Sequence, residues 1–305
     1  MEKKNLYIGA AACISSGLFW GGCGVAIQYL INDLGLPSLW VTTFRTLVSG
    51  LILMVFFTFR MKKEVAVIWK NKKDAVRLMI FSLIGIAGCY YTYFVTVQYT
   101  NAPTATVLQY LSPVFVVLYM SIRNKKFPVM QERIAICLVL LGTFFIATHG
   151  NIGSLAISSI GLALGISSAI ALAFYGIYPK PLIEKFNPVY VYSWAVFFSG
   201  IVMNCLCPIW KIDLSGITLT GWFMLIYTLI FGTMISYPLY LYGVMKIGPS
   251  KGSMFSSVEP GATAILAAIL LATPLVFLDY VGVVLITVAI MILALPKEGI
   301  DNTSQ

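Results

Sequence analysis

Ten apolar runs, each long enough to cross about 30 Å of hydrocarbon at roughly 1.5 Å per residue, alternate with short polar segments along the chain. They predict helices near residues 7–31, 39–59, 76–98, 102–122, 131–149, 157–179, 189–210, 219–245, 250–272 and 277–296. The first run is longer than a signal-peptide core and has no convincing small-residue cleavage site, so it is expected to stay as the first span.

The polar segments test that count, because Lys and Arg should gather on alternate sides if no span is missed or invented. One side collects Lys3 and Lys4, then Arg60, Lys62, Lys63, Lys70, Lys72, Lys73 and Arg77, then Arg123, Lys125, Lys126 and Arg133, then Lys180, Lys185, Lys246, Lys251 and Lys297. The other side holds Lys211 alone, and Arg45 falls inside a span. Both termini are therefore expected in the cytoplasm of a multi-pass protein of the cell membrane. Of the 62–73 segment, Val65, Val67, Ile68 and Trp69 form an apolar stripe that could rest on the lipid surface, against the plainer reading of a solvated loop.

A weak internal repeat runs through the pattern. Gly85, Tyr90, Tyr93, Val97 and Pro113 recur 147 positions later as Gly232, Tyr237, Tyr240, Val244 and Pro260. Two five-span units, residues 1–150 and 151–305, follow from it. Five is odd, so the second unit enters the membrane from the opposite face and the repeats are inverted. The expected fold class is an all-α integral membrane protein of ten transmembrane helices in two inverted five-helix repeats.

Composition sharpens this reading. With 59% hydrophobic and 10% charged residues, the chain is far from the roughly 25% charge of soluble domains. The net charge of +9 would point to nucleic acid in a soluble protein, but here it is a topology signal, and nucleic acid is rejected as a partner. All six cysteines lie in apolar stretches and read as small buried hydrophobes, with disulfides not expected. Cys205 and Cys207 lack the further ligands that a metal site needs, so no metal or cofactor is assigned.

Candidate chemistry sits where the helices are interrupted. Pro113, Pro260 and Pro238 fall inside predicted spans, where each removes a backbone hydrogen bond. The carbonyls so freed must meet protein or a water-lined cavity, which makes these prolines candidate hinges facing the bundle interior. Small residues around Ala102–Thr106 and Gly248–Ser257 would let helix backbones approach closely there.

Arg45 and Glu259 are the two charges inside spans, and such groups are costly unless paired, hydrated or neutralised. Arg45 lies about 9 Å from the outer end of its helix and Glu259 about 14 Å from the inner end of its own. Their levels could thus bracket one small polar molecule. Arg45 could instead snorkel to the outer headgroups, and Glu259 could be a protonated acid bonded to a carbonyl near Pro260. Trp20, Tyr90, Tyr93, Tyr110, Tyr237 and Tyr240 are candidates for an aromatic wall around a substrate, against the alternative of core packing. Asp279 and Glu132 stand at corresponding helix starts and read as N-terminal caps.

These residues resemble the drug/metabolite transporter superfamily, in its ten-helix branch with two EamA-type domains. The likeness covers nearly the whole chain. It rests on Trp20-Gly21, Thr43-Phe44-Arg45 after Pro37, the stretch Asn101–Pro113, Glu132 followed by Gly142, and Gly248–Pro260 with Asp279 and Gly282. The resemblance implies a central cavity lined by helices one to four and six to nine, and transport of amino acids, metabolites, nucleotide sugars or drugs, often outward. The chain departs from the pattern at Asp279, usually glutamate, and at Phe174-Tyr175-Gly176, where Trp-Gly is common.

The leading expectation is a secondary transporter, by export, of small metabolites such as amino acids through alternating access. Arg45 would hold a carboxylate, Glu259 an ammonium or a coupling proton, and the aromatic rings the side chain. An exporter of hydrophobic or cationic drugs, using Glu259 and the rings alone, competes with it, and a receptor or assembly subunit without transport is a third reading. No P-loop is present for direct ATP drive, and no catalytic set for an enzyme. Dimerisation is left open by the sequence.

Overall fold

The computed structural model describes residues 2–151 and 156–295, so Lys297 of the charge pattern lies outside the described residues. Ten helices long and apolar enough to span a membrane follow one another: α1 (Lys4–Asp33), α2 (Ser38–Met61), α3 (Lys72–Tyr99), α4 (Ala102–Asn124), α5 (Met130–Thr148), α6 (Ser159–Ile183), α7 (Pro188–Leu206), α8 (Leu219–Ile247), α9 (Lys251–Leu271) and α10 (Phe277–Ala294). The ends agree with the hydropathy pattern to within a few residues. Local chemistry moves some of them: α3 starts early because Asn71 accepts from the amides of Lys73 and Asp74, and α7 stops early at Cys207-Pro208.

Several of the spans are not regular. α4 breaks at Tyr110–Leu111 into Ala102–Gln109 and Ser112–Asn124, and α9 breaks likewise into Pro249–Ser256 and Glu259–Leu271. Pro113 and Pro260 therefore stand in the first turn of a new half-helix, where a missing N–H leaves nothing unpaired. The expectation that each removes a bond from a continuous helix is corrected. Pro238 follows a wider, π-helical stretch of α8, Ile230–Ile235, and a matching stretch occurs in α3 at Phe81–Gly88. Gly232 and Gly85 lie in these two stretches, so the repeat extends to the irregularities.

The two halves interlock. α1 packs along α8 and α9, while α6 packs along α3 and α4. α2 and α7 cross at reciprocal glycines: a Cβ on Gly50 would lie 2.6 Å from Phe197 Cα, and one on Gly200 2.4 Å from Leu47 Cα. Only residues without side chains allow that approach. α5 meets α10 where Gly142 and Gly282 face each other's carbonyls. Glu132 and Asp279 accept from the amides of Val129 (3.0 Å) and Val276 (2.9 Å), each capping its own helix, and His149 Nε2 lies 3.1 Å from Asp279 Oδ1.

The segment after α2 neither rests on lipid nor stands free in water, which corrects both readings of it. Its 3-10 turn, Lys62–Lys70, docks on α7, where the Val65 carbonyl accepts from Tyr190 Oη (2.8 Å) and Trp194 Nε1 (3.0 Å) and Ile68 is fully buried. The other half has a counterpart, since Trp40 Nε1 of α2 donates to the Ile209 carbonyl (2.9 Å) beyond α7. Lys185 also reaches across the repeats to the buried Asp74 at 2.9 Å. The cysteines need correction too: Cys13, Cys23 and Cys89 are buried, but Cys137 and Cys205 are exposed and Cys207 is partly so. An apolar stretch in a membrane protein can face lipid as readily as core.

Gly200→Val should destabilise the chain by about 1–3 kcal/mol through overpacking against the α2 backbone. Gly216→Ala, at a site with no heavy atom within 4 Å of the added carbon, should be close to neutral. Thermal unfolding of both variants in detergent checks the pair, and equal midpoints would contradict the packing described.

Candidate functional site

A cavity of about 270 Å³ opens between the repeats, lined from α1–α4 and α6–α9. All eight residues expected at a substrate site line it: Trp20, Arg45, Tyr90, Tyr93, Tyr110, Tyr237, Tyr240 and Glu259.

Arg45 does not snorkel outward. Its residue is 5% exposed, Nε donates to Thr233 Oγ1 at 2.7 Å, and Nη2 donates to the Gly232 carbonyl at 2.8 Å. The guanidinium carbon sits 4.6 Å from the Tyr90 ring centre and 5.5 Å from that of Phe94. Its acceptors belong to the π-helical stretch of α8, where backbone geometry is wider than in a regular helix. Two of its five N–H donors are thereby used, leaving the rest for the cavity.

Glu259 opens the second half of α9, with its carboxylate near the positive end of that half-helix. Its Oε2 accepts from Tyr110 Oη at 2.9 Å. The donor is thus a hydroxyl from the break in α4, and the alternative of a bond to a carbonyl near Pro260 is not what holds the side chain. Among the described residues, neither Arg45 nor Glu259 enters an ion pair. The cavity therefore holds one positive and one negative group that do not neutralise each other directly.

The aromatic residues divide between these poles. Beside Arg45, Tyr90 Oη bonds Tyr192 Oη at 2.8 Å, the Tyr192 ring stacks on Tyr237 with centres 4.2 Å apart, and Tyr175 meets Tyr237 edge-on at 6.4 Å. On the Glu259 side, Trp20 and Tyr240 lie 5.7 Å apart. Tyr93 Oη pairs with Thr106 Oγ1 at 2.9 Å and ties α3 to the outer half of α4.

Tyr175 and Tyr192 were missed in the sequence. The departure Phe174-Tyr175-Gly176 was the signal for the first, and nothing distinguishes Tyr192 from the other rings of α7. Gln109 also lines the cavity and donates to Ser168 Oγ at 2.8 Å. Gln98, His149 and Asn204 instead serve Ser38, Asp279 and the Ile209 amide. Among the described residues no three His, Cys, Asp or Glu side chains gather as a metal ion would require.

Hydrogen bonds tie helix ends together on one side of the cavity. On the face where α1 ends, Gln28 is buried, accepts from the Ala102 amide at 2.8 Å and donates to Thr273 Oγ1 at 2.8 Å, joining α1, α4 and the segment that follows α9. Nearby, Asn32 Nδ2 donates to the Val97 carbonyl at 3.2 Å. The opposite face carries the start of α1 and most of the basic residues, and is called the basic face below.

The chain matches the model of the EamA-like transporter family twice, over residues 7–148 and 159–295. It is similar to a protein named uncharacterized inner membrane transporter YicL from Salmonella typhimurium, with 35% identity over 93% of this chain and 94% of that one. An uncharacterized transporter YyaM of Bacillus subtilis is 21% identical over 100% and 99% of the two chains. A crystal structure of another protein superposes with a TM-score of 0.64 at 13% identity, covering 96% of this chain and 97% of its own, a likeness of fold. With ten membrane-spanning helices in two repeats, this chain belongs to the EamA-like transporter family.

Proposed function

We propose that the protein is a secondary transporter that carries small zwitterionic metabolites, amino acids foremost, out of the cell by alternating access around the central cavity. The observation that carries this reading is the pairing of Arg45 and Glu259 in one aromatic-walled cavity without a direct bond between them. The free N–H donors of Arg45 would take a carboxylate. Glu259, which lines the cavity with Trp20 and Tyr240, would take the ammonium group or carry a coupled proton. The volume of about 270 Å³ has room for a small metabolite.

Residues 1–150 and 151–305 would act as the two units that move against each other. The breaks at Tyr110–Leu111 and Ser257–Val258 would be the points where the helices bend. The basic face is assigned to the cytoplasm, with both termini, by the positive-inside asymmetry.

Counterflow into proteoliposomes against panels of amino acids and organic cations, at two pH values, tests the proposal. Glu259→Gln should lower amino-acid counterflow by about tenfold or more, the worth of one charge-assisted hydrogen bond, and should flatten its pH dependence. Unchanged uptake and pH dependence in that variant would exclude the role given to Glu259.

Arg45→Met removes the partner of the Gly232 carbonyl as well as the carboxylate contact. It should abolish amino-acid counterflow and lower the unfolding midpoint in detergent. Cation flux that survives in Arg45→Met would favour the organic-cation reading, and no flux of any solute by the wild type would overturn transport altogether.

A further inference from the structure

The inverted repeat allows each contact that closes the cavity on one face to be compared with its counterpart on the other. Between α3–α4 and α8–α9 the equivalent positions differ by 147. For α1 and α6 the contacts set the relation. Gly9 packs on Lys246 and Ile247, while Gly161 packs on Tyr99 and Thr100, whose numbers are lower by 147, so Gly9 and Gly161 are equivalent and the offset is 152.

On that basis the two faces are not alike. A Cβ on Gly24 would meet Tyr93 Oη at 2.7 Å and Ala102 Cβ at 3.7 Å, whereas its counterpart Gly176 has no such neighbour within 4 Å. The outer half of α4, Ala102–Gln109, packs on α1 and on Glu259–Leu271, and Ala102–Leu108 are all buried. Among the described residues, the equivalent half of α9, Pro249–Ser256, packs at most marginally on Ser112–Asn124, and Lys251 in it is exposed. The cavity is sealed at the far face and parted at the basic face.

The sequence supplies a physical reason. The seal is held by Gln28, the Ala102 amide and Thr273. Their counterparts are Lys180, Pro249 and Lys126. Proline has no N–H to donate. Lys180 is exposed, with its nearest carboxylate Glu184 at 3.9 Å on its own turn, and Lys126 is exposed as well. Closure at the basic face would bring two like charges together where the far face has a glutamine and a threonine.

We propose that Gln28 is the latch of a far-face gate, and that the protein rests open to the basic face because the equivalent latch cannot form there. This rests on the alternating-access reading above. Gln28 holds the first amide of a half-helix, a donor with no partner inside that helix, so opening the far gate requires water to reach it. The repeat-related positions thus carry the bias between states, while the cavity residues carry recognition.

The test uses the full chain in oriented proteoliposomes, with native Cys23, which lines the cavity, as the only thiol and the other five cysteines replaced by alanine. A small membrane-impermeant thiol reagent is added from one face or the other. The wild-type background should be modified faster from the basic face. Gln28→Leu should raise the rate from the far face on the order of tenfold, as expected for loss of two neutral hydrogen bonds.

Thr273→Val keeps the bond to Ala102 and should shift the rate part of the way, which serves if Gln28→Leu fails to fold. Lys180→Gln with Lys126→Thr should lower the rate from the basic face. Faster far-face modification of the unlatched background, or no change in far-face rate in either Gln28→Leu or Thr273→Val, would overturn the proposal. Counterflow on the same vesicles separates the two readings: absent flux with the labelling shifts intact rejects transport but keeps the latch, and intact flux with no shift rejects the latch alone.

Discussion

A guanidinium withdrawn from water inside a membrane protein must be solvated by the protein itself, and much else here depends on how Arg45 is satisfied. The acceptors come from the opposite repeat, as the Gly232 carbonyl and the Thr233 hydroxyl. Both lie in the wide turn of α8, so the irregularity and the charge account for each other. Gly232 is also a point of close approach to α1, since a Cβ there would lie 2.4 Å from Cys23 Sγ. One side chain of α2 thus fixes the position of α8 against α1 and, through Tyr90 and Tyr192, sets one end of the cavity.

The inverted repeat builds the scaffold, and departures from it supply the chemistry. Reciprocal glycines at the α2–α7 crossing and at the α5–α10 contact hold the halves in register. At the starts of the second half-helices, Ser112 in one repeat stands where Glu259 stands in the other. The hydroxyl that holds Glu259 comes from Tyr110 at the break of the first repeat, so each half completes the other's site. The frame is symmetric while its lining is not.

Much of the site was legible because polar groups are rare in these spans and each demands a reason. An arginine and a glutamate in apolar runs, with tyrosines at matching intervals, point inward for lack of any solvent outside. Tyr192 was hidden because aromatic residues are abundant throughout α7, where Tyr190 and Trp194 serve a loop instead. The docking of Lys62–Lys70 was hidden for a similar reason: an apolar stripe suits lipid and protein equally, and only the neighbouring helix decides between them. The prolines marked the breaks, but which side of a break they occupy depends on backbone geometry that spacing does not encode.

By itself the sequence determined the ten spans, their alternating charge and the inverted repeat, because hydrophobic length and loop charge act locally on insertion into a bilayer. It also singled out the charged and aromatic residues of the cavity, since few others could bear the cost of facing lipid. Tertiary structure alone decided what those residues touch: that Arg45 is held by α8, that Glu259 is held by Tyr110, and that Gln28 bridges the Ala102 amide and Thr273. Those contacts join helices from different repeats, and their geometry follows from backbone approach at glycines and wide turns far apart in the chain.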